Sequence, residues 1–83
     1  MRLYSTLPSL DLHGLDTVYA KILVNDFIND QKRMKNKEFL IIHGIGTGAV
    51  RKAVQDTLKQ SHEVENYKLD NFNPGCTIVK LKS

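Results

Sequence analysis

The chain has no tryptophan, two prolines and a single cysteine among its 83 residues. One cysteine cannot close an internal disulfide, so the sequence does not belong with the small secreted domains that rely on such staples. Cys76 opens an apolar run and reads as a small buried hydrophobe. No apolar stretch approaches the ~18 residues that suggest a membrane span. The opening residues, Met1 to Pro8, lack both the apolar core of about 7–15 residues and the small-residue cleavage site of a secretory signal. These absences point to a reducing, cytoplasmic setting with no membrane partner. Aromatic residues make up only 7%, with Tyr4, Tyr19 and Tyr67 available for stacking, so an extended base-stacking platform is not expected.

What is present is ordinary for one thin-cored domain: 41% hydrophobic and 25% charged residues. Twelve Lys and Arg against nine Asp and Glu leave a formal charge of +3, which permits an anionic partner without requiring one. Distribution says more than the total. Lys32, Arg33, Lys35 and Lys37 gather at the end of the first helical pattern, where a solvated helix end complementing the dipole explains them. Arg51 and Lys52 instead open the second helical pattern. Cations there oppose the dipole, so a bound anion would relieve a local conflict.

Periodicity alternates strand and helix. Residues 9–13 form a short strand, and Asp16 or Thr17 caps a helix whose Ala20, Leu23, Val24, Phe27 and Ile28 mark one apolar face. Phe39-Leu40-Ile41-Ile42 reads as a central strand covered on both faces. Val50, Ala53, Val54 and Leu58 form the stripe of a second helix reaching roughly Ser61, with His62 a surface residue beyond it. Residues 64–70 alternate weakly, Asn71 to Gly75 carry turn chemistry, and Thr77 to Leu81 form the last strand. The expected class is α/β, a two-layer α+β sandwich in the order β-α-β-α-β-β. Its mixed four-stranded sheet pairs the last two strands as a hairpin, and both helices pack on one face. Residues 1–8 read as an N-terminal arm and 9–83 as a single domain.

Two histidine-glycine steps stand where strand gives way to helix: Leu10-Asp11-Leu12-His13-Gly14 and Ile41-Ile42-His43-Gly44-Ile45-Gly46-Thr47-Gly48. Strand-to-helix turns of parallel strands open on one edge, so His13 and His43 are expected on a common rim. Either histidine taken alone is better explained by a structural hydrogen bond than by catalysis. Asp11 and His13 lie two apart, which on an extended strand aims both side chains at one face, as an orienting carboxylate and its imidazole. Asp11 could equally bond nearby backbone. Gly44, Gly46 and Gly48 permit the close backbone approach of a phosphate cradle. The turn lacks the Lys-Ser/Thr ending of a nucleotide P-loop and the spacing of a dinucleotide fingerprint. No metal-ligand spacing is present.

Together the two motifs resemble the small MutS-related (Smr) domain, and the likeness extends through the second helix, at Ala49 to Val54, to the turn Asn73-Pro74-Gly75 before the last strand. The resemblance implies a fold similar to the C-terminal domain of bacterial translation initiation factor three, and nuclease activity on DNA or RNA. It assigns function to Asp11 and His13 in the first motif, His43, Gly44, Gly46 and Gly48 in the second, and Arg51 after it. A histidine at position 13 is common in stand-alone and variously fused members, whereas members joined to a MutS-like ATPase often carry arginine.

The expected function is therefore phosphodiester cleavage. His13, oriented by Asp11, would be the general base toward water or a ribose 2′-hydroxyl. The glycine-turn N–H groups and Arg51, helped by Lys52, would stabilise phosphate charge. His43 would protonate the leaving oxygen or organise the turn. The expected partner is nucleic acid, with ribosome-associated and branched-DNA settings open, as is a longer parent protein. No cofactor is fixed, and a divalent metal, magnesium or manganese, stays open. The alternatives are a module that grips nucleic acid or a ribonucleoprotein without cutting it, and a protein-interaction module.

Overall fold

Asp16 starts the first helix because its carboxylate accepts from the N–H groups of Val18 and Tyr19, at 3.1 and 3.2 Å, satisfying donors that the first turn leaves open. A computed structural model describes residues 7–83. Its elements are β1 (Ser9–Asp11), α1 (Thr17–Arg33), β2 (Glu38–Ile42), α2 (Ala49–Gln60), β3 (Val64–Leu69) and β4 (Cys76–Leu81). α1 ends where Lys35 takes a left-handed φ of 62°. The four strands lie in the order β1-β2-β4-β3, with β1 parallel to β2 and β4 antiparallel to both of its neighbours.

Register decides which side chains meet the helices. Phe39 pairs with Val79 and Ile41 with Thr77, and these residues face α1 and α2. Val24 and Ile28 of α1 and Val54 and Leu58 of α2 complete the core. Phe27 meets Phe39 edge-on, with ring centroids 5.1 Å apart and planes at 83°. The mixed sheet with both helices on one layer is the expected architecture.

Two local details differ from expectation. β2 was expected to be covered on both faces, but the helices cover only the Phe39 and Ile41 side, leaving Leu40 and Ile42 half-buried on the other. The continuous apolar run reflects a second, helix-free face on which Leu40 and Ile42 pair with Ile78 and Cys76. β1 also stops at Asp11 rather than at His13. Residues 1–6 of the expected arm, with Tyr4, lie outside the described residues. Leu7 is buried and the Pro8 carbonyl accepts from the Leu40 N–H at 2.9 Å, so the chain is already joined to the sheet there.

Candidate functional site

Because β1 and β2 run parallel, the turns after them leave from the same end of the sheet. Leu12 N–H donates to the Ile42 carbonyl at 2.7 Å, and a Cβ placed on Gly44 would stand 3.3 Å from His13 Cβ. The two histidine-glycine steps are thus in contact. Between them opens a cleft of about 590 Å³ whose walls include His13, His43, Gly44, Gly46, Gly48 and Arg51.

Asp11 and His13 are brought together by a turn, not by strand alternation. One Asp11 carboxylate oxygen accepts from His13 N–H at 3.2 Å and meets His13 Nδ1 at 2.5 Å. A carboxylate only accepts, so Nδ1 carries the proton and Nε2 of the neutral ring presents its lone pair elsewhere. The His13 side chain is 71% exposed. These two hydrogen bonds from His13, the side-chain one first, hold the Asp11 carboxyl below its ordinary value of 3.8.

His43 differs in every respect. It is 3% exposed, its Nδ1 bonds the Gly44 carbonyl at 2.9 Å, and its Nε2 meets Thr77 Oγ1 at 2.8 Å. The carbonyl fixes the proton on Nδ1, so neutral His43 accepts the Thr77 hydroxyl hydrogen at Nε2. Its backbone is held too, since the Gly75 carbonyl accepts from both His43 N–H and Gly44 N–H, at 2.9 and 3.0 Å. Both ring nitrogens are committed to holding the turn.

The glycine turn leads into α2 through Gly48, whose φ of 84° belongs to the left-handed region. Unlike α1, whose N-cap Asp16 accepts from two first-turn N–H groups, α2 receives no side-chain bond from its N-cap residue, Gly48, and only Thr47 Oγ1 reaches its first turn, accepting from Ala49 N–H at 3.4 Å. Its N–H groups therefore face the cleft with the positive end of the helix dipole. The Arg51 guanidinium lies over Gly48, with Nη2 3.9 Å from a Cβ built there, and no carboxylate among the described residues pairs with it. Lys52 turns away. Its Nζ meets Asp56 at 3.3 Å across one helical turn, and it does not line the cleft. His62 is exposed beyond α2, and burial, with Asp70 and then Asp11 adding, pushes the Cys76 thiol up. Among the described residues no group of three or more His, Cys, Asp or Glu is arranged to hold a metal. No described helix is long and apolar enough to cross a membrane.

The family model for the Smr domain matches residues 10–82. The chain belongs to the Smr domain family. It is 35% identical over 85 residues to "Endonuclease MutS2" of Clostridium kluyveri, covering 99% of this chain and 11% of that protein. It is 41% identical over 76 residues to the protein of the same name from Clostridium botulinum, covering 88% of this chain and 10% of that one. The chain therefore spans about a tenth of the length of these relatives. Among solved structures, the Smr domain of Thermus thermophilus MutS2 superposes with a TM-score of 0.89 at 26% identity, covering 93% of this chain and all of that one. YdaL, a stand-alone small MutS-related protein from Escherichia coli, gives 0.85 at 25% identity, covering 90% of this chain and 64% of that one. Similar proteins thus include both MutS2 and a stand-alone form.

Two residues of this Smr domain that hold the site were not singled out from sequence as its supports. Gly75 lies just before β4 and Thr77 near its start, and both fix the second turn from the strand beside β2. The signal for Thr77 is a hydroxyl on the helix-facing side of an otherwise apolar strand. Such a buried group requires a partner.

Proposed function

We propose that this Smr domain is a nucleic-acid endonuclease that seats a scissile phosphate in the cleft between the two turns. The observation that carries the reading is the pairing of an exposed Asp11–His13 couple with the glycine-led N-terminus of α2 and Arg51 across the same cleft. N–H groups at the start of α2 and the Arg51 guanidinium stabilise the charge that develops on the phosphate oxygens. His13 Nε2 takes the proton from the attacking water or ribose 2′-hydroxyl, and Asp11 holds the ring and balances the imidazolium that forms. His43 keeps Gly44 in place and moves no proton. The endonuclease name of the MutS2 relatives supports the same reading.

Matched DNA and RNA oligonucleotides, incubated with and without magnesium or manganese, test it. Arg51→Ala should slow cleavage and lower the slope of log affinity against log salt by about 0.7–0.9, the loss of one phosphate contact. Salt-dependent binding with no product under any of these conditions would instead leave a non-catalytic binding module. Binding that ignores both salt and Arg51 would leave a protein-interaction module.

A further inference from the structure

The described residues have six large apolar side chains standing out in solvent, and four of them, Val18, Tyr19, Ile45 and Phe72, belong to the segments that surround the cleft end of the sheet. Phe72 is the extreme case at 92% exposed. It sits on the turn between β3 and β4, whose Gly75 packs against Gly44 closely enough that a Cβ on Gly75 would be 3.4 Å from Gly44 Cα. Three peptide links separate Phe72 from Gly75, so its Cα lies within about 11 Å of the glycine that touches the second turn. That is about three stacked nucleotides at roughly 3.4 Å each.

We infer that Phe72 is a stacking residue for an unpaired nucleobase within about three nucleotides of the phosphate held in the cleft, which makes single-stranded nucleic acid the preferred ligand. This rests on the nucleic-acid reading of the cleft and names the form of strand it takes. Charge argues for a base rather than a phosphate at this point. Residues 70–76 contain no lysine or arginine, and the Asp70 carboxylate accepts from Phe72 N–H at 2.9 Å, so phosphate is repelled there while a neutral ring is not. Shape argues the same way. Phe72 is a planar group flanked by exposed, polar Asn71 and Asn73, which suits one flat base. Bases in a duplex are already stacked and keep their faces covered, so only an unpaired strand can use the ring.

Equilibrium binding of one sequence as single-stranded DNA, single-stranded RNA and DNA duplex tests the assignment. Phe72 is almost fully exposed, so replacing it leaves the fold intact. Phe72→Ala should weaken both single strands roughly 5- to 150-fold, the range for losing one stacked base, while changing duplex binding and the salt slope little. Since the chain has no tryptophan, Phe72→Trp places one indole at the turn, and its fluorescence should be quenched by single strands and restored by salt. Unchanged single-strand affinity in Phe72→Ala, or equal loss on duplex, overturns the inference. If Arg51→Ala still weakens binding in that case, the nucleic-acid reading of the cleft stands without it. If the parental protein binds none of the three ligands, both fall.

Discussion

Thr77→Val isolates the hydrogen bond that separates the role of His43 from that of His13. Valine nearly matches threonine in volume, so the change creates no cavity and deletes only the hydroxyl. Thr77 is 0% exposed and His43 3%, leaving no water to replace the lost partner of Nε2. An orphaned buried acceptor costs about 1–3 kcal/mol. With a urea m-value of about 1 kcal/mol/M for a small domain, the midpoint should fall by about 1–3 M with an unchanged slope. A double-mutant cycle with His43→Phe assigns the loss to the pair, and the coupling should be about 1–2 kcal/mol. Where cleavage is measured, the pH dependence of Thr77→Val should keep its parental form, because His43 holds a turn and transfers no proton. A midpoint within about 0.3 M of the parental value would refute the buried hydrogen bond as a support of the second turn.

Other consequences follow from the same contacts. Gly44→Ala meets both an unfavourable φ of 81° and a 3.3 Å approach to His13 Cβ, so it should destabilise by more than about 1 kcal/mol in urea unfolding and displace His13, slowing cleavage. Asp11 is ionised more readily in the folded chain than in the unfolded one. Its contribution to stability is present above pH 3.8 and lost as pH falls through its lower folded value. Urea midpoints taken across acid pH should accordingly fall less steeply below pH 3.8 in Asp11→Asn than in the parental protein.

Much of this arrangement is legible in the residues. Asp16 announces the start of α1, and the apolar positions of α1 and α2 mark the faces they bury. The strand-helix-strand order alone puts His13 and His43 at one end of the sheet. The difference between the two histidines is not legible, because each reads as an imidazole followed by glycine at the end of an apolar run. What separates them is the Thr77 hydroxyl, 34 residues from His43 and adjacent only through the β2–β4 register. Arg51 and Lys52 both read as cations serving the second turn, with Lys52 the helper. Asp56 lies one helical turn after Lys52 and draws that side chain away, a spacing visible in the sequence once the helix is set. Leu40 and Ile42 give no local sign of which face lacks helices, since that depends on where both helices settle.

The most direct test of the composite site is the single-turnover cleavage rate of a single-stranded oligonucleotide by parental protein and by His13→Ala, with folding of both verified by urea unfolding. Positioned proton transfer is worth about 10²–10⁴-fold, so the variant should cleave slower by that factor while binding the strand with near-parental affinity. Cleavage by His13→Ala at the parental rate would contradict the account, because the exposed Asp11–His13 couple would then take no part in the reaction.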